Sequence, residues 1–238
     1  AFALPAQAAA QENEAGSTAS AGFDAIVVTA QRREENLQQV PAQVSVFTSD
    51  KVEDANIKST QDFINLTPNV SLDSSDTYNN TFVVVRGVTQ INNADAPVAI
   101  IVDGVPQNNQ KQFNMNLFDI EQIEILKGPQ GALYGRNAIG GAVNIITREP
   151  TNEFTGFANG SYGRGDAINV SGGISGPIIE DKVKFRLSGV YLEDGGRITN
   201  TFANKEQDFI DHDYAVRGRI TAKAADWLDL DFRGSYRN

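Results

Sequence analysis

A single histidine, His212, and no cysteine at all in 238 residues set the limits on the chemistry open to this chain. Without thiols there is no disulfide framework, no Cys-ligated zinc, no iron-sulfur cluster and no thiol nucleophile. One imidazole leaves little for a metal centre or a nucleophile–His relay. Asp211-His212-Asp213 is the only constellation that hints at a metal ligand set. It sits in a polar loop entering a strand and lacks ligand spacing, so it reads as solvated. Gly128, Gly131, Gly135, Gly140 and Gly141 cluster, but Gly stands where a phosphate-binding loop needs Lys, and no Gly-x-Gly-x-x-Gly follows a strand. These glycines suit tight turns and close backbone approach. A secreted carbohydrate-active enzyme would need two carboxylates in one cleft. With 30 acidic against 20 basic residues the net charge is -10, which argues against a phosphate-rich nucleic-acid partner. The expectation is a non-enzyme with no catalytic residue, no cofactor and no metal.

The elements that would position any site change texture along the chain. Residues 1–10 are apolar and Ala-rich, with small-x-small patterns at Ala6-Gln7-Ala8 and Ala8-Ala9-Ala10, as in the tail of a secretory signal peptide. Residues 11–23 have almost nothing to bury and read as a flexible linker. No apolar run approaches the roughly eighteen residues of a membrane helix. Between 24 and 150 the pattern is mixed α and β. Ser59-Thr60-Gln61-Asp62 is a capping box opening a short helix that must stop before Pro68. Asp50 with Glu53 starts another, through Ala55. Strands are predicted at Val44 to Phe47, Phe82 to Val85, Val98 to Val102, Ile123 to Leu126 and Ala142 to Ile146, with a hairpin turn at Asp103-Gly104.

From 151 to 238 the chain alternates with period two over five segments, at 154–162, 166–176, 182–191, 214–223 and 228–236. Val183, Phe185, Leu187 and Tyr191 oppose Lys182, Lys184, Arg186 and Ser188, and the same holds along the next two segments. A soluble sandwich would show the same alternation. Segments of about ten residues, Gly among the apolar positions and aromatics at strand ends favour a transmembrane β-barrel. Short turns near Gly176-Pro177 and Ala224-Ala225-Asp226, against a polar stretch from Glu193 to Asp213, match its short-turn, long-loop asymmetry. On that reading Lys184, Arg186, Arg217, Arg219, Asp229 and Asp231 face a wet lumen.

Three motifs occur in order in the middle of the chain: Phe82-Val83-Val84-Val85-Arg86-Gly87, Val102-Asp103-Gly104-Val105-Pro106, and the unbroken run from Ile120 through Lys127-Gly128-Pro129-Gln130-Gly131 and Gly135-Arg136-Asn137-Ala138-Ile139-Gly140-Gly141 to Thr147. Together they closely resemble the plug domain of TonB-dependent outer-membrane receptors. Upstream, Asp24-Ala25-Ile26-Val27-Val28-Thr29-Ala30 resembles that family's TonB box, and the later strands resemble the start of its barrel.

The resemblance implies an α+β plug domain (31–150) after a TonB box (24–30), followed by the first five or so antiparallel strands (151–238) of a transmembrane β-barrel with twenty-two strands in full. Five strands would leave two unpaired edges in hydrocarbon, so the chain is expected to be a fragment. The implied function is energy-coupled uptake of a scarce nutrient across the outer membrane of a Gram-negative bacterium. A ferric siderophore is the first candidate ligand; an oligosaccharide, cobalamin and haem are alternatives. A passive outer-membrane binding or adhesion protein is the alternative from another class. The partners implied are TonB with its inner-membrane motor proteins, met in the periplasm, and outer-membrane lipid. Ile26, Val27, Val28, Thr29 and Ala30 are the expected TonB-binding residues, a β-prone stretch suited to adding a strand to another protein's sheet. Arg86, Glu121, Glu124 and Arg136 are the expected plug–barrel ion-pair residues. The amide-rich loops supply the expected ligand contacts: Tyr78, Asn79, Asn80, Asn92, Asn93, Asn108, Asn109 and Phe113. Their mixed donors and acceptors suit a neutral, hydroxyl-rich or carbonyl-rich ligand.

Overall fold

The computed structural model describes residues 26–29, 33, 35–40, 42–75, 80–89, 96–107, 112–135, 137–196, 199–202, 205–206 and 210–238. The expected signal remnant and linker lie outside these residues. The described residues open with a two-residue ladder, β1 (Val27–Val28) against β2 (Glu35–Asn36), and a 3-10 turn at Leu37–Gln39. There follow β3 (Gln43–Thr48), α1 (Ser49–Asp54), α2 (Thr60–Asn65), β4 (Val70–Ser75), β5 (Asn80–Val85), β6 (Val98–Val102) and β7 (Val105–Gln107). The plug is completed by β8 (Ile120–Lys127), α3 (Gly131–Tyr134) and β9 (Gly141–Thr147).

Five of these strands make one mixed sheet in the order β3-β8-β9-β6-β7, with β6 and β9 parallel and the other pairs antiparallel. β8 is largely buried because both of its faces are covered, although Glu121, Gln122, Glu124 and Lys127 make half of it polar. Ile123 and Ile125 point into the main core with Phe63, Ile64, Val83, Val85 and Val143, under α1, α2 and the β4–β5 hairpin. Period two then places Gln122, Glu124 and Leu126 on the opposite face, where the smaller cluster of Ala99, Ile101, Leu126, Ala138 and Ala142 lies.

The local signals act as their chemistry dictates. The Asp62 carboxylate accepts the backbone N–H of Ser59 at 2.8 Å and of Lys58 at 2.9 Å, closing the amino end of α2. Asp103 and Gly104 both take positive φ, 49° and 83°, the geometry a tight two-residue hairpin requires between β6 and β7. Strand β4 and helix α3 were not expected from the sequence. Val70-Ser71-Leu72-Asp73 alternates too briefly to stand out, and it becomes a strand because β5 pairs with it along its length.

Five long strands follow: β10 (Thr155–Gly163), β11 (Ala167–Ile179), β12 (Val183–Asp194), β15 (Ile210–Ala225) and β16 (Leu228–Arg237). They form one antiparallel sheet in sequence order. Between β12 and β15 sits a small ladder, β13 (Thr199–Asn200) with β14 (Lys205–Glu206). The turn expected at Gly176-Pro177 is displaced. β11 continues through Pro177, which pairs with Lys184, and a register shift before Ile179 accommodates the missing proline N–H, so the chain reverses at 180–182.

Which face of this wall meets the plug decides between the two β architectures left open by the alternation. Arg186, Ser188, Val190, Ala215 and Arg219 are buried, whereas Val170, Ile174, Leu187, Val216, Ile220 and Phe232 on the other face are exposed. A soluble sandwich buries the apolar face; here the charged face is covered and the apolar face is outermost, as for a sheet whose outside meets lipid. Among the described residues no helix is long and apolar enough to cross a membrane.

Candidate functional site

The first described residues are docked onto the plug. Leu37 donates its N–H to the Ile26 carbonyl at 2.9 Å, and Val27 and Val28 pair with Asn36 and Glu35. Val28 is buried and Val27 is exposed. On the far side of this short strand, the Thr29 N–H donates to Glu124 Oε1 at 2.6 Å and its hydroxyl lies 3.3 Å from the same oxygen. Gln122 Nε2 donates to the Val27 carbonyl at 3.1 Å and to Glu124 Oε1 at 2.6 Å. Asn144, paired with Glu124 across β8 and β9, donates from Nδ2 to Glu124 Oε2 at 3.1 Å. Glu124 is 0% exposed. Among the described residues its hydrogen-bond donors are neutral groups, which offset part of the cost of burying a carboxylate. Ala30 lies outside the described residues.

The plug meets the wall through carboxylates on one side and arginines on the other. Arg186 of β12 donates from Nε to Asp119 Oδ2 at 2.7 Å and from Nη2 to Asp119 Oδ1. Arg219 of β15 reaches Glu149 at 2.9 Å and Asp231 at 2.8 Å. Arg233 of β16 donates to the Asp103 carbonyl at 2.9 Å. The Asp103 carboxylate is itself held by the Thr147 N–H at 2.9 Å and hydroxyl at 2.7 Å. The Arg217 guanidinium lies 4.5 Å from the centre of the Phe118 ring and donates to the Phe118 carbonyl at 3.2 Å. Asn116 bonds Asp213 at 2.7 Å, and Phe118 packs with Val190 and Ala215. A cleft of about 700 Å³ beside this contact is lined by Thr29, Asn144, Asp103, Glu149, Arg219 and Arg233, among others.

Three of the four residues expected at the plug–wall contact have other partners among the described residues. Arg86 bonds Gln43 within the plug, Glu121 lies 3.9 Å from Arg148, and Glu124 holds Thr29. None of these three touches the five described wall strands through a recorded bond, because β8 carries Glu124 on the face turned to the amino-terminal strand. Arg136 lies outside the described residues. Burial, with the Arg86 guanidinium adding to it, holds the Lys127 ammonium below its ordinary value.

Of the expected ligand contacts, Tyr78, Asn79, Asn92, Asn93, Asn108 and Asn109 lie outside the described residues, and Asn80 is placed only as the first residue of β5. Phe113 requires a correction: it is 1% exposed and packs in the main core, since the chain after the amide-rich loop turns inward there. Asp103, Asp119 and Glu149 were not singled out as wall contacts. Their only sequence signal is position, each lying just outside a plug strand, where a carboxylate can reach past the sheet.

A family profile described as "TonB-dependent Receptor Plug Domain" matches residues 36–142. The "Pesticin receptor" of Yersinia pestis is 30% identical over 179 residues, 74% of this chain and 25% of that protein. The "Vitamin B12 transporter BtuB" of Vibrio vulnificus (strain YJ016) is 31% identical over 161 residues, 65% of this chain and 25% of that protein. The chain thus spans about a quarter of the length of these curated relatives. Among solved structures, the ferric yersiniabactin uptake receptor FyuA from Yersinia pestis superposes with a TM-score of 0.72 at 24% identity, covering 82% of this chain and 31% of that one.

Proposed function

Because the chain belongs to the TonB-dependent receptors, with residues 36–142 matching their plug domain, we propose that it serves energy-coupled import of a scarce nutrient through the outer membrane of a Gram-negative bacterium, with a ferric siderophore as the ligand. The carrying observation is the asymmetry of the plug's attachments. A short segment at residues 26–29 is held by a few hydrogen bonds, while the contact with the wall is made by the buried Arg186–Asp119 ion pair and by Arg219, itself buried, reaching the exposed Glu149.

In this reading Ile26, Val27, Val28, Thr29 and Ala30 are the TonB box and face the periplasm. TonB takes them as an added strand and, driven by its inner-membrane motor proteins, pulls on the plug. The wall strands β10, β11, β12, β15 and β16 sit in outer-membrane lipid through their apolar face, and Arg186, Arg217 and Arg219 anchor the plug within. The amide-rich loops around Tyr78 to Asn80, Asn92-Asn93 and Asn108-Asn109 recognise the ligand. The name of the FyuA neighbour, a ferric yersiniabactin uptake receptor, supports the siderophore. The likeness to a vitamin B12 transporter supports cobalamin as the second reading.

The test is uptake of radiolabelled iron, presented as ferric siderophores, by cells carrying the full-length receptor as their only such system. Deleting residues 26–30, or removing TonB, is expected to abolish accumulation while leaving surface binding intact. Uptake that persists in both strains overturns the energy-coupled reading. Uptake of labelled cobalamin, but of no ferric siderophore, moves the assignment to the second ligand.

A further inference from the structure

We propose that the side chains of Gln122 and Glu124 are an intramolecular stand-in for a partner strand, occupying the backbone edge of residues 27–29 that TonB must take, so that recruitment is a strand exchange. This rests on the reading of residues 26–30 as the segment TonB captures.

A two-residue strand has two backbone edges. One is filled by β2: Leu37 donates to the Ile26 carbonyl, and the ladder pairs Val27 with Asn36 and Val28 with Glu35. In a ladder, successive residues turn their N–H and C=O to opposite sides, so the Val27 carbonyl and the Thr29 N–H face away from β2. An added strand would bring one N–H to that carbonyl and one C=O to that amide. Both places are taken. Gln122 Nε2 donates to the Val27 carbonyl at 3.1 Å, and Glu124 Oε1 accepts from the Thr29 N–H at 2.6 Å.

The match follows from strand geometry. Gln122 and Glu124 lie two residues apart on β8 and so share one face, and that spacing equals the one between Val27 and Thr29. Gln122 also donates to Glu124 at 2.6 Å, which fixes the pair as one unit. Glu124 is buried, and among the described residues its hydrogen-bond donors are Gln122, Thr29 and Asn144, all neutral, so each helps to offset the burial of the carboxylate. Withdrawing Thr29 leaves that carboxylate short of a donor. A charge-assisted bond of this kind changes an equilibrium by about ten- to a hundredfold, which sets the scale by which the docked edge disfavours capture.

The test uses the full-length receptor in outer-membrane vesicles. A nitroxide is attached at Val27→Cys, in a chain whose 238 residues contain no other cysteine. Gln122→Ala removes the surrogate donor. Thr29→Pro removes the amide while leaving Glu124 in place, and neither variant alters an apolar residue of the plug core. Both are expected to convert an immobilised spin-label spectrum to a mobile one without ligand. Gln122→Ala is expected to raise the affinity of the TonB periplasmic domain about tenfold. A spectrum unchanged in both variants, or an affinity unchanged in Gln122→Ala, overturns the surrogate edge. A free peptide of residues 24–30 is assayed alongside: its failure to bind the TonB domain overturns the box assignment instead, whatever the label reports.

Discussion

Arg186, the fourth residue of wall strand β12, and Asp119, the residue just before plug strand β8, form a two-pronged ion pair that both partners bury. Asp119 holds a left-handed backbone, φ 57°, which an aspartate tolerates better than most side chains. That turn aims its carboxylate out of the plug while β8 goes on into the core. The ion pair therefore couples the start of β8, a central strand of the plug sheet, to the wall.

Arg186→Ala should leave the Asp119 carboxylate buried and unpaired, a loss of about 3–5 kcal/mol for a pair of this kind. The expected readout is faster amide exchange across residues 117–121 in the full-length receptor. Asp119→Asn combined with Arg186→Met should recover much of the protection, because it removes both charges together. Equal exchange in the single and double variants would contradict the coupling.

Phe113 lies in the core, so Phe113→Ala should cost about 3–5 kcal/mol through the cavity it leaves. Affinity for the ligand, measured per folded receptor by titration, should be unchanged. A selective loss of affinity with normal stability would return this residue to the ligand site.

The two faces of the wall should respond oppositely to charge. Ile220 is exposed on the apolar face, and Ile220→Arg should destabilise the barrel by about 2–4 kcal/mol if it lies near the bilayer midplane. Ser235, on the face shared with Arg233 and Arg237, should accept Lys at under about 0.5 kcal/mol, as an ordinary wet position does. The folded fraction by heat-modifiable electrophoretic mobility, across a urea series, separates the two.

Gly141 opens β9 with φ 154°, and a Cβ there would strike the Leu126 carbonyl oxygen across the β8–β9 pair. Gly141→Ala should therefore shift the central pairing of the plug, at about 1–3 kcal/mol of backbone strain or more. The check is protease sensitivity of the plug in intact vesicles, expected to rise while the barrel stays inserted. Gly131→Ala, with open space around its Cβ position, is the matched control.

Much of the architecture was legible because it depends on short-range chemistry. The five alternating segments became β10, β11, β12, β15 and β16, since period two is a property of the extended chain itself. The Ser59 to Asp62 box closed its helix as its spacing required. The ordered motifs from Phe82 to Thr147 carry the resemblance to TonB-dependent receptors by residue type and spacing alone. Strand β4 was invisible because its alternation is brief and it depends on β5 for pairing.

The site is another matter. The amino-acid sequence alone determined the strongly patterned elements, the charged face of β12, β15 and β16 and the β-prone stretch at residues 26–30. The tertiary structure alone decided which charges meet. Thr29 and Glu124 are 95 residues apart, and Asp119 and Arg186 are 67 apart. Residue type assigns each carboxylate a need for donors, but the donor that satisfies it depends on how β8 is rotated within its sheet and on where the wall strands run. Glu124 thus turned to the amino-terminal strand, and the wall's arginines found Asp119, Glu149 and Asp103.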